Sequence, residues 1–512
     1  MSDDTATRQP DGLGRSALAF AFAGSACLLV LEIVAGRLVA PRLGVSLYTW
    51  TSVIGVVLAG VSLGNYLGGV LADRRPTRST LGLLYLAAAA SSVLVLGVLH
   101  VMDWLDLPQG SPPLLQVLWV VALLFLLPST ILGAPTPLLT RLCLHNVDET
   151  GRVVGRIQAA AALGSIFGTF LTGFFLISTF GTRHVVVGVA AILLALSVVA
   201  FPPWRTRRTA AVGIVGAAIL ATGWLSSSGC TRESDYYCIR VDPARVTKTV
   251  NGRTVEVTPP TRSLYLDSLL HSEVNLRHPL ELLYDYEKQY AAVLGRLVPT
   301  GGRLDSFFIG GGGYVFPHWV EARYAGNITV AEIDPAVTGV SREYLGLHNS
   351  QRLQLVTNDA RRELQSLPAS TQFDAIFGDA FDDFSVPYHL TTREFSRLVA
   401  LHLRPEGVYL MNVVDGSNHD FLRSELRTLR KVFPYVSVLE PDAGWPPPSW
   451  RNTYVIVASK TRPATPLKTV SDTALAEFDR NGHGLVLTDD RAPVEQLLSP
   501  VFGDALKQRS RS

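Results

Sequence analysis

The pattern of apolar and polar residues divides this chain into two halves of different kinds. Before Ser228 the apolar positions come in long, nearly unbroken runs, and a helix that crosses a membrane needs about 20 such residues. Seven runs meet that length: Ser16–Ala35, Tyr48–Leu71, Thr80–His100, Leu114–Gly133, Ile157–Phe180, His184–Phe201 and the shorter, glycine-rich Thr209–Leu225. The first is followed by Gly36 and Arg37 and not by a small-residue cleavage site, so it reads as a signal anchor. Beyond Tyr236 the period shortens. Runs at Tyr237–Val241, Thr254–Val257 and Leu264–Leu266, punctuated by Asn251, Gly252, Pro259 and Pro260, predict a small β-hairpin subdomain. Leu282, Leu283, Tyr286, Tyr290, Val293 and Leu297 then recur at helical spacing. Strand-like runs follow at Leu304–Ile309, Ile328–Ile333, Leu353–Val356, Phe373–Phe377, Val408–Val413 and Thr453–Ala458, with helical stretches between most of them. Such alternation predicts βαβ units and a mainly parallel sheet. The expected organisation is a polar tail (1–15), an all-α transmembrane bundle of about seven helices (16–228), a hairpin subdomain with its lead-in helix (229–300) and a Rossmann-like α/β domain (301–512).

Charge adds an orientation. Short cytoplasmic loops are enriched in Lys and Arg, and the loops after the second, fourth and sixth runs hold Arg74, Arg75 and Arg78, then Arg141, Arg152 and Arg156, then Arg205, Arg207 and Arg208. The alternate loops hold only Arg37, Arg42 and Arg183. The N-terminus is therefore expected inside, and seven spans would put the C-terminal half outside, where Cys230 and Cys238 could pair. Cys27 and Cys143 read as buried thiols. Gly60, Gly64 and Gly68 repeat at a spacing that lets helices approach closely. Glu32, within the first run, lies near its end and can reach the interface. The net charge of +2 and the lack of a basic stripe argue against nucleic acid as a partner. The eleven His and four Cys form no paired set of the zinc type, so no metal is expected.

The densest chemical signal lies between Leu304 and Pro335. An apolar run ends in Gly310, Gly311, Gly312 and Gly313; a helical segment and a second apolar run follow, closing on Glu332 and Asp334. Glycines after a strand let backbone approach a nucleotide, and the acid that ends the next strand can take both ribose hydroxyls. Asn358, Asp359 and Ala360 follow the third strand, and Asp379, Asp382 and Asp383 follow the fourth. Ligands gather at the carboxyl ends of such strands. One acid there is usually a helix cap; acids at three consecutive strand ends point to a ligand.

These strings, FFIGGGG at Phe307, AEIDPAV at Ala331, NDARREL at Asn358 and FDAIFGDAFDD at Phe373, resemble the spermidine synthase family of aminopropyltransferases over about Arg232 to Ser459. LYLDSLLHSEV at Leu264 and YDYEKQYAAVL at Tyr284 resemble that family's hairpin and lead-in helix, and the whole chain resembles its bacterial membrane-fused variety. The resemblance implies a methyltransferase-type Rossmann-like fold and transfer of an aminopropyl group from decarboxylated S-adenosylmethionine to a putrescine-like amine, with release of methylthioadenosine. It implies no metal, commonly a homodimer, and a multi-pass protein of the bacterial inner membrane in contact with the lipid bilayer. It assigns the ribose to Glu332, the adenine to Asp359 and the attacking amine to Asp379, with Asp382 and Tyr286 beside it. Gly310 to Gly313, Asp334, Asn358 and Ala360 complete the cofactor seat; Glu287, Asp383, Tyr388 and Trp450, the last from the stiff GWPPPSW loop, would face the amine. Adenosyl cofactors belong to the cytoplasm, which opposes the side indicated by the basic loops.

Two departures stand out. The family's glycine loop carries an aspartate that clasps the cofactor's aminopropyl amine, and here Gly313 is followed by Tyr314. DAFDD also lacks the proline the family has after its second acid. Intact S-adenosylmethionine is therefore a feasible ligand, with methyl transfer or cofactor cleavage as the changed chemistry. A non-catalytic nucleotide-binding sensor or transporter is the alternative of a different class.

Overall fold

In the computed structural model the described residues are 14–43, 46–102, 113–144, 146–201, 215–218, 220–221, 229–243, 246–250, 253–257, 260–381, 386–441, 444–445, 451–463, 465–499 and 501. They form two compact units, one of 1–39 with 48–228 and one of 40–47 with 229–512.

The first unit is helical. Among the described residues six helical stretches are long and apolar enough to cross a membrane: Ser16–Pro41, Leu47–Arg74, Arg78–Met102, Leu115–Cys143, Val147–Leu176 and Thr182–Ala200. They coincide with the first six apolar runs. The seventh, Thr209–Leu225, lies mostly outside the described residues, and its described parts, 215–218 and 220–221, are helical. Gly60, Gly64 and Gly68 lie on the buried face of Leu47–Arg74, where a Cβ would overlap Ser129, Thr130 and Ala134 of the facing helix. Their spacing is therefore a packing device, since apolar helices in lipid associate through close contact and not through water exclusion.

The second unit opens with a disulfide between Cys230 and Cys238, whose Cα atoms are 5.4 Å apart. Strands β1 (Arg232–Glu233), β2 (Cys238–Pro243), β5 (Thr261–Leu266) and β6 (Leu269–Asn275) form an antiparallel sheet in the order β1-β2-β5-β6. The separate hairpin β3 (Val246–Val250) and β4 (Arg253–Val257) pairs only within itself among the described residues. The helix Asp285–Leu297 leads into a seven-stranded sheet of β7 (Ser306–Ile309), β8 (Ile328–Glu332), β9 (Leu353–Thr357), β10 (Phe373–Gly378), β11 (Leu403–Asp415), β12 (Tyr435–Val438) and β13 (Asn452–Ser459). Its order is β12-β13-β11-β10-β7-β8-β9, parallel from β11 to β9 and antiparallel at β13 and β12. This is the mixed, Rossmann-like arrangement of the methyltransferase type. The central strands are buried on both faces, as Phe307, Phe308, Ile376 and Phe377 show, which explains their continuous apolar runs. From β7 the chain winds outward through β8 to β9, then returns to β10 on the other side. The gap between the ends of β7 and β10 is thus the switch point where such sheets take their ligand.

Candidate active site

At that switch point lies a cavity of about 300 Å³. Its floor is the ends of β7, β8 and β10, and its walls come from the β5–β6 hairpin, the start of the helix Asp285–Leu297, the segment 387–390 and the ends of β11 and β13. Gly310 and Gly312 turn the chain after β7 with φ of +94° and +50°. A Cβ on Gly310 would lie 2.6 Å from the Asp379 carbonyl oxygen, so only glycine lets the β7 and β10 ends close on each other.

Glu332 ends β8 buried, with both carboxylate oxygens directed by backbone. Gly311 N–H donates to Oε2 at 2.8 Å and Asp334 N–H to Oε1 at 3.0 Å. Each oxygen keeps a further lone pair, so the carboxylate can accept two hydroxyls without giving up the glycine turn. Burial pushes its pKa up, and the two backbone donors oppose that rise. Asp334 does different work: it accepts from Ala336 N–H at 2.8 Å, capping the next helix, and from Ser234 Oγ at 2.5 Å. It is absent from the cavity wall, as is Gly313, whose N–H donates to Ser272 Oγ at 2.9 Å.

Asp359, after β9, also caps a helix, accepting from Arg362 N–H at 2.9 Å, and still lines the cavity beside Asn358 and Ala360. Its second oxygen is 2.7 Å from His389 Nε2. Burial works against its charge, but the His389 hydrogen bond and the Arg362 N–H hold it below the usual carboxylate range. Arg361 steadies this corner, donating to the His389 carbonyl at 3.0 Å and to Asp489 at 2.7 Å. Tyr388, by contrast, is 57% exposed and lies outside the wall, because the short 3₁₀ turn Tyr388–Leu390 brings His389 and Leu390 inward.

Asp379 follows β10 and is held at both of its carboxylate oxygens. Tyr286 Oη donates to Oδ2 at 2.9 Å and Asn412 Nδ2 to Oδ1 at 2.8 Å. Burial raises its pKa, and these two hydrogen bonds oppose the rise. Glu287, one residue beyond Tyr286, is 4% exposed; burial and then the Asp379 charge push its pKa up to about 8. Buried Glu287 and half-buried Asp379 at one end of the cavity make a seat for a cation, because a bound ammonium offsets the loss of solvation that raises both and the Asp379 charge that adds to the rise at Glu287. Asp382, Asp383 and Trp450 lie outside the described residues.

The sign of the Glu287 effect can be tested. An unfolded Glu releases its proton near its ordinary 4.5, whereas folded Glu287 keeps it to about 8. Within that window the folded state binds the extra proton, so its contribution to stability is complete below and is lost as pH rises to the upper limit. Glu287→Gln should flatten this fall. Thermal midpoints at about pH 5 and about pH 8.5 are compared; a variant whose pH slope equals that of the parent would show that Glu287 is charged in the fold.

Three wall residues escape a reading by motif. Asn412 interrupts the apolar run of β11, and that interruption is a usable signal. Ser272 and His271 lie within a strand string and carry no spacing of their own. Asn412 Oδ1, Tyr284 Oη and His271 Nε2 are buried and have no hydrogen-bond partner among the described residues. Buried polar atoms are normally paired, so three unpaired ones lining one cavity mark where ligand atoms belong. Burial and the charge of Arg451 hold His271 down to about 4, so it is neutral at physiological pH.

A family profile described as spermine/spermidine synthase domain matches residues 307–442. Polyamine aminopropyltransferase 1 of Streptomyces coelicolor is 24% identical over 469 residues, covering 88% of this chain and 85% of its own. Polyamine aminopropyltransferase 1 of Ralstonia nicotianae is 24% identical over 438 residues, covering 79% and 78%. Among solved structures, a probable spermidine synthase from Corynebacterium glutamicum aligns with 52% of this chain and 99% of its own at 20% identity and a TM-score of 0.43. The profile falls on the glycine loop and the strand-end acids, and over most of its length, apolar helices included, the chain is similar to polyamine aminopropyltransferases of the spermidine synthase family.

Proposed function

We propose that this protein is a membrane-anchored aminopropyltransferase that moves the aminopropyl group of decarboxylated S-adenosylmethionine to a putrescine-like amine. The observation that carries the reading is Asp379, fixed by Tyr286 and Asn412 in the cavity that also holds the Glu332 seat. The cavity fits such a nucleoside: glycine backbone on one side, a buried acid for the ribose, and unpaired polar atoms on the wall. In the transfer a C–N bond forms, the C–S bond of the sulfonium breaks and methylthioadenosine leaves. An ammonium with a pKa of about 10.4 has no free lone pair near neutrality. Asp379 takes a proton from the ammonium and so frees the lone pair that forms the C–N bond, while Tyr286 and Asn412 hold the carboxylate in line. Orientation at about 3 to 3.5 Å contributes much of the remaining acceleration.

A second reading keeps the site and changes the co-substrate. No acid stands at Gly313, a Cβ there would lie 2.7 Å from Ser272 Cβ, and Arg451 lines the same cavity. A cation in the cavity together with the missing loop acid favours a ligand that keeps its carboxylate, hence intact S-adenosylmethionine and either methyl transfer or cleavage. Purified protein is incubated with each cofactor form, with and without putrescine. Aminopropyl transfer yields methylthioadenosine only from the decarboxylated form with amine; adenosylhomocysteine, or methylthioadenosine from the intact form alone, establishes the second reading. Binding without any product would leave a nucleotide-binding sensor.

In this reading residues 16–228 are a multi-pass bacterial inner-membrane domain, 229–300 the hairpin layer over the site, and 301–512 the catalytic domain. The Cys230–Cys238 bond supports an oxidising setting for the second unit.

A further inference from the structure

We propose that the second unit carries a divalent-cation site of the zinc type, formed by His318, Glu321 and His348 and separate from the nucleoside cavity. His318 and Glu321 stand one turn apart on the helix Val315–Arg323, and His348 comes from the loop before β9. Each offers one donor atom, and these atoms all lie within 4.8 Å of one another. None of the three lines the nucleoside cavity.

Two features distinguish this cluster from a chance grouping. His318 is only 7% exposed, yet its Nε2 is buried with no hydrogen-bond partner among the described residues. A buried ring nitrogen without a partner calls for an explanation, and a bound cation supplies one. The carboxylate is also pre-set. One oxygen of Glu321 accepts from Ser350 Oγ, while the other faces His348 Nε2 at 3.7 Å. Such outer hydrogen bonds orient metal-binding carboxylates. The His318 and His348 rings stack with centroids 4.5 Å apart and planes 22° from parallel. Arg352 fastens the loop to the helix end, donating 2.6 Å to the carbonyls of Tyr324 and Glu321.

Two imidazoles and one carboxylate form a nitrogen-rich set that suits zinc, whereas magnesium and calcium take oxygen. Tetrahedral bonds of about 2.0 to 2.1 Å need donors about 3.4 Å apart, and a small rotation of the exposed His348 closes that gap. The fourth position opens to solvent and takes water. A cation here would clip the helix that begins at the glycine turn to the loop before β9. Spacing along the chain hides the site, because the third donor is remote from the other two.

The test uses tag-free, full-length protein in detergent, stripped with a chelator and titrated with Zn²⁺ by calorimetry. One ion per chain should bind, and His348→Ala and Glu321→Gln should each weaken binding by at least about tenfold. Zn²⁺ should raise the thermal midpoint of the parent and not that of His348→Ala. His348 is exposed, so its replacement leaves the fold intact, and equal midpoints without metal check this. Co²⁺ should give the strong visible absorption of four-coordinate geometry in the parent alone. Absence of saturable binding, or binding that neither variant weakens, overturns the assignment.

Discussion

Asp379→Asn should lower kcat by about 10²- to 10⁴-fold, the range for loss of a positioned general base, while methylthioadenosine binds almost as before. The amide has nearly the shape of the carboxylate and can still meet Tyr286 and Asn412, so the pocket keeps its form. It has no charge to hold an ammonium and no basic oxygen to take its proton. A separation of the two effects is therefore expected: turnover is lost and nucleoside affinity stays. Because burial raises the Asp379 pKa, the parent rate should rise with pH as this carboxyl ionises, and the variant should lose that limb. Turnover at an unchanged rate would remove Asp379 from the chemistry, and lost nucleoside affinity would make it a structural acid.

Glu332→Ala should show the opposite division. Hydrogen bonds to a charged group contribute about 1.5 to 3 kcal/mol each, so losing two ribose contacts lowers nucleoside affinity by about 100-fold or more. The variant also deprives Gly311 N–H and Asp334 N–H of their acceptor, loosening the turn at the base of the cavity. Glu332→Gln can keep one acceptor oxygen and should fall between the two. Calorimetry with methylthioadenosine measures both; an unchanged dissociation constant for Glu332→Ala would place the nucleoside elsewhere.

The candidate site was legible to different depths. Gly310, Glu332, Asp359 and Asp379 can be found in the chain because each follows an apolar run in a βαβ pattern, and the geometry of parallel sheets sends such positions to one edge. Asp334 reads as well as Glu332 in the sequence. Only the fold separates them, since Asp334 begins a helix and caps it while Glu332 still belongs to the strand. Tyr388 is the neighbour that the sequence reading singled out, and a single 3₁₀ turn decides that His389 meets Asp359 instead. Asn412 and His271 come from elements far from the glycine turn, and no local rule links them to it.

What the linear order determined here is local: seven apolar runs of spanning length, six of which are spanning-length helices among the described residues, the alternation of strands and helices, and acids at successive strand ends. Periodicity is a property of neighbours in the chain, so it survives without a fold. What only the tertiary structure decided is which side chains share a cavity: the grip of Tyr286 and Asn412 on Asp379, the raised pKa of Glu287, and the meeting of His318, Glu321 and His348. Those depend on burial and on contacts between distant segments, and neither exists until the sheet has assembled.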